Sequence, residues 1–188
     1  MKSKSNQESL TLTGRINRMT HTVSDLQSKY PNWDEFSKQE KLEAVHNTEP
    51  ENEDVVYNVT TDRLHEYFVD NLDPANASVE ANVTSEYMAL GVDGASGTAT
   101  SDTDLNQREY YEPVTDHADN GKELLASTFV DSTEGNNNTF DEIGLYTGDP
   151  ADLDQEEVFL INHATFSGVE KDNSKTITFD VTLTFSDV

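Results

Sequence analysis

The chain has 188 residues, with twelve Lys and Arg against thirty-seven Asp and Glu, and no cysteine. That length fits one ordinary domain, or a domain with an appendage, and the absence of cysteine excludes disulfides and thiolate metal sites. A net charge of −25 speaks against nucleic acid as a partner, because phosphate contacts need clustered Lys or Arg. The charge is uneven: Met1 to Thr48 holds seven bases and six acids, whereas Glu49 onward holds five bases and thirty-one acids. A nearly neutral leading part and a strongly anionic body suggest that the first touches a partner while the second faces solvent. Asp is as abundant as Glu in this excess and Lys is scarce, a composition that fits molar salt, where the Debye length falls to about 3 Å and self-repulsion is screened. The opening MKSKSNQESLTLTGRINRM lacks the apolar core of a signal peptide. No later stretch is apolar enough to span a bilayer, so a product assembled in the cytoplasm, with no membrane contact, is expected.

In chain order, Leu12, Ile16, Met19, Val23, Leu26 and Tyr30 recur at intervals of four and three, which predicts a helix stopped by Pro31. Arg15, Arg18 and Lys29 lie on its other face. Ser37 and Glu40 form a capping box for a second helix running to about His46. A polar acidic linker, Asn47 to Asp54, precedes a third helix that begins after Thr60 or Thr61, carries Leu64, Tyr67, Phe68 and Leu72, and ends before Asp73-Pro74. Strands are expected at Val83 to Leu90, Leu124 to Val130, Phe140 to Tyr146 and Val158 to Phe166. The clearest is Thr176 to Phe185, where Ile177, Phe179, Val181, Leu183 and Phe185 alternate with Thr and Asp, as a half-buried antiparallel strand does. The fold expected is mainly β: an antiparallel, jelly-roll-like β-sandwich over residues 79–188, preceded by a helical anchoring segment at 1–48 and a linker with a helix at 49–78.

Chemistry is sparse in this pattern. His21, His46, His65, His117 and His163 form no paired ligand spacing, and satisfied or surface histidines are the default. Asp149, Asp152, Asp154, Glu156 and Glu157 offer hard oxygen ligands without the spacing of a calcium loop. Gly91 to Gly97 lacks the Lys-Ser/Thr ending of a phosphate loop, and Asp93 would repel a phosphate, so it reads as a loop. Sequons at Asn58, Asn76, Asn82 and Asn137 are what an Asn- and Thr-rich chain generates by composition. Tyr110 and Tyr111 point to opposite faces if they share a strand, so one is expected inside and one available for surface recognition. No metal, cofactor or catalytic residue is expected, and the chain reads as a non-enzyme.

Three stretches in order carry a family resemblance. Tyr87-Met88-Ala89-Leu90-Gly91, followed by Ser101-Asp102-Thr103-Asp104-Leu105 and Glu109, resembles the "ALGTG…TDTAL…E" stretch of accessory structural proteins of tailed viruses. Glu142-Ile143-Gly144-Leu145-Tyr146, followed by Val158 to Phe166, resembles their "EIGLF/Y" and "LLARATF" strands. Lys171 to Phe185 resembles their closing "K…LTVTYTLTF". The likeness spans Tyr87 to Phe185; the family's arginine is replaced around Asn162-His163-Ala164, and the leading segment lies outside it. It implies a virion part built as a sandwich, with no catalytic residue. Together with the acidic composition, it implies a structural component of a haloarchaeal tailed-virus particle, a capsid decoration or turret protein, with a tail, baseplate or fibre part as the alternative. The expected partners are other virion proteins and further copies of the chain. Docking is assigned to Leu12, Arg15, Ile16, Met19, Val23, Leu26 and Tyr30, whose apolar stripe is covered either by a partner's groove or by the chain's own body. A cell-surface or glycan-binding module is the alternative.

Overall fold

A computed structural model describes residues 10–72 and 84–187. Lys2, Lys4, Val83, the Asp73-Pro74 stop and the sequons at Asn76 and Asn82 lie outside the described residues. In chain order the elements are β1 (Leu10–Thr22), α1 (Val23–Lys29), α2 (Lys38–His46), β2 (Asn52–Thr60), α3 (Asp62–Leu72), β3 (Tyr87–Gly91), β4 (Arg108–Pro113), β5 (Asp116–Asp119), β6 (Glu123–Val130), β7 (Asn138–Tyr146), β8 (Leu160–Lys171) and β9 (Lys175–Asp187). All nine strands join one antiparallel sheet in the order β4-β3-β7-β8-β2-β1-β9-β6-β5, curled into a half-barrel.

The leading segment is not a helix over Leu12 to Tyr30. Residues 10–22 form β1, which sits mid-sheet and pairs along its whole length with β9 and, from Gly14 to Thr20, with β2. A spacing of four satisfies a period of 2 as well as one of 3.6, so Leu12 and Ile16 fit either reading. The strand pattern is masked because two of its inward positions are Gly14 and Arg18. Arg18 is 7% exposed; its guanidinium donates to the Ser167 carbonyl at 2.7 Å and lies over the Phe166 ring. Burial pushes this guanidinium below its ordinary pKa. Gly14 is there because the Asn58 side chain of β2 occupies the space a Cβ would need, 1.6 Å from Asn58 Oδ1. The helix that does form, α1, uses only Val23, Leu26 and the residues after them. Likewise part of the expected acidic linker is strand β2: Val56 faces the core while Val55 and Tyr57 face out.

From α1 to α2 the chain makes a small lobe on the outer face of the sheet. Leu26, Trp33, Leu42, Ala44 and Val45 pack with Phe129 of β6, and the Trp33 and Phe129 rings meet edge to face at 6.0 Å. The α2 capping box is formed as expected, Ser37 accepting from the Glu40 amide while Glu40 accepts from the Ser37 amide. Ion pairs fasten the lobe: Lys38 to Glu112 and Glu134, Lys41 to Asp131 at 2.6 Å, and His46 to Asp180 at 3.1 Å. Inside the curl, Ile16, Met88, Phe140, Ile143, Phe179 and Val181 lead the main core, and α3 supplies Leu64. Among the described residues no helix is long and apolar enough to cross a membrane.

Candidate functional site

The outer face of β3, β7 and β8 is covered by the loop between β3 and β4, and that loop is held by one carboxylate. Glu142 of β7 is 0% exposed. Its Oε1 accepts the Gln107 amide at 2.8 Å and the Asp93 amide at 3.3 Å, and its Oε2 accepts the Asn106 amide at 3.0 Å. On Oε2 it also meets His163 Nε2 at 3.0 Å, while His163 Nδ1 meets Asp102 Oδ2 at 2.7 Å. The imidazole is 0% exposed. Asp102 in turn accepts the Ala99 amide at 2.7 Å. Burial this deep is compensated by the donors gathered on both of its oxygens. Two glycines leave room for this packing: a Cβ on Gly91 would fall 2.2 Å from Glu142 Oε1, and one on Gly144 would fall 2.6 Å from Leu160 Cδ1 and 3.0 Å from Leu105 Cδ2.

Beside this trio Asp104 Oδ1 accepts from the Tyr146 phenol at 2.6 Å, the Leu105 amide at 2.8 Å and Arg108 at 2.9 Å. Burial, then the bond to Asp104, keeps the Tyr146 phenol neutral well above its ordinary range. Asp102 and Asp104 also line a cleft of about 730 Å³ between the start of α3, the loop at 100–104 and the segment at 153–160. Asp62, Arg63, Glu66 and Glu156 face it. Among the described residues no group of three or more His, Asp or Glu is placed to hold a metal ion. Asp149 caps the turn at Pro150–Asp152 by accepting the Ala151 amide.

Compared with family models, with curated proteins and with solved structures, the chain matches none.

The residues assigned to docking are scattered by the strand. Ile16 (0% exposed) is in the main core, Leu26 (0%) is under Trp33, and Met19 is buried on the outer face. Leu12, Val23 and Tyr30 are half-buried, and Tyr30 donates to the Ala44 carbonyl. Only Arg15 is exposed. A single stripe is therefore not available to a partner; the chain itself covers its apolar members. Across the ladder from Arg15 stands Tyr57, 79% exposed, with Val55 two residues before it at 38%. Tyr110 and Tyr111 do face opposite ways on β4: Tyr110 packs on Phe140, and Tyr111, 40% exposed, meets Tyr87 at 6.4 Å with Arg108 over its ring. The trio of Asp102, Glu142 and His163 was not legible as a site. Its members are far apart in sequence, at 102, 142 and 163, and no ligand-type spacing links them.

Proposed function

We propose that this chain is a non-enzymatic structural component of a haloarchaeal tailed-virus particle, capsid-associated and built from a jelly-roll-like body. The observation that carries the reading is the use made of the resembling stretches. Strands β3, β7 and β8, which contain the first two of them, lie side by side, and Glu142 of the second spends its acceptors holding the loop of the first. Polar residues consumed in bracing a loop are what a scaffold needs. Docking moves from the buried stripe to the outer face around Arg15, Val55 and Tyr57, the most exposed large apolar surface among the described residues. Its partner is a neighbouring subunit of the particle. Removing residues 1–48 does not test this, because it removes a central strand. The double variant Arg15→Glu/Tyr57→Ser does: in molar salt it folds with an unchanged circular-dichroism spectrum and loses recruitment to particles, and normal recruitment overturns the docking face.

A glycan-binding module is the second reading, favoured by the Tyr87 and Tyr111 rings at the sheet edge, where Arg108 supplies a polar group beside them. It predicts saturable binding of cell-surface glycans by the wild type and its loss in Tyr111→Ala. No binding by either form leaves the structural reading alone.

A further inference from the structure

His163 is enclosed by carboxylates, and counting protons gives the arrangement a mechanical consequence. Each ring nitrogen faces a carboxylate oxygen, so both contacts are hydrogen bonds only when the trio carries two protons, on the two nitrogens or on one nitrogen and one carboxyl. With one proton fewer, a ring lone pair is pressed against a carboxylate in a place water does not reach, a contact that must open. The two sides are unequally held. Glu142 is 0% exposed and fixed by three backbone amides, whereas the Asp102 side chain is 21% exposed, fixed by the Ala99 amide, and borders the cleft. We propose that Asp102, His163 and Glu142 form a proton-operated latch whose loss of one proton frees Asp102 and the 99–104 wall of the cleft, while the rest of the loop stays anchored on Glu142.

The charged groups around the trio are mostly carboxylates. Asp93 and Asp104 come from the loop, Asp141 from β7, where it accepts the Gly94 amide, and Asp62 and Glu66 from α3 across the cleft; Arg63 and Arg108 are the nearby cations, Arg108 committed to Asp104. The wall has its own reporters, because the Asp62 amide donates to the Thr100 carbonyl and the Asp102 amide to the Ala99 carbonyl.

The test is amide hydrogen exchange on the full chain in molar salt from about pH 5 to about pH 10, corrected for intrinsic rates, with the His163 ring nitrogens followed by NMR in the same samples. As the ring loses its proton, the amides of Asp62, Ala99 and Asp102 exchange roughly tenfold faster, the size expected for losing one charge-assisted bond. Those of Asn106 and Gln107 do not change. In His163→Gln, which has no ring proton to lose, the same amides are insensitive to pH. Ring titration with no change at Ala99 and Asp102 overturns the latch, as does a pH dependence that survives in His163→Gln. Where that variant fails to fold, the wild-type comparison of ring and amides decides alone.

Discussion

Glu142 shows how much of this molecule rests on single side chains. Four donors converge on it, so Glu142→Gln removes the charge and turns an NH2 group toward amides that cannot accept. Leaving buried partners unpaired costs about 3–5 kcal/mol; urea unfolding in molar salt will show a lowered midpoint with an unchanged slope. Lys171 is the opposite case, a 0% exposed cation whose ammonium donates to Asn136 Oδ1 at 2.9 Å and to the Asp172 carbonyl at 3.0 Å. Burial pushes its pKa down to about 8 from an ordinary 10.5. Between these values the unfolded chain binds the extra proton, so stability contributed at this site rises with pH from about 8 upward. Above pH 10 the trend reverses, because the buried Tyr110 and Tyr146 phenols stay neutral when folded and ionise when unfolded. Thermal melts across that range will show the rise, roughly 1–3 kcal/mol, and Lys171→Met will abolish it.

At the level of elements, β1 is where reading the sequence and seeing the structure part. The strands at 124–130, 140–146 and 176–185, the capped helix after Ser37 and the helix after Thr61 were legible because their periods were clean and their boundaries were marked by caps or turn residues. The first strand was not, since its inward face carries Gly14 and Arg18, each sensible only once Asn58 and Phe166 are known to sit opposite. Strands β2, β4 and β5 were hidden by their Asn, Asp and Glu, of which Glu109, Asp116 and Asp119 face solvent while Glu112 is buried and Asn58 turns inward against Gly14. The register makes a sharp prediction. Gly14→Ala drives a methyl into the Asn58 side chain and costs about 1–3 kcal/mol by overpacking; Asn58→Ala relieves most of that loss, so a double-mutant cycle by denaturant unfolding gives a large coupling. A helical first segment would give none.

For the whole molecule, the charge balance of −25 is spread over a sheet whose two edge strands, β4 and β5, carry Arg108, Glu109, Glu112, Asp116 and Asp119. Charged edges resist pairing with other chains, and the same charge repels itself in dilute buffer. Raising salt from about 0.1 M to about 1 M shortens the screening length from about 10 Å to about 3 Å, so the melting temperature climbs with salt; a flat profile would contradict the reading of the composition as adaptation to brine. Both Arg15→Glu and Tyr57→Ser lie outside the core, and neither alters that profile by more than about 0.5 kcal/mol.

The pairing of β1 with β9 has a consequence for how the protein is born. Ile16 meets Val181 near the centre of the sheet, so β1 leaves the ribosome long before its partner β9 exists. Until β9 has emerged, the nascent sheet keeps a raw seam through its middle, a topology that folds slowly and invites capture by other chains. In dilute buffer, where the charge of −25 is least screened, that charge opposes such capture by holding unfinished copies apart.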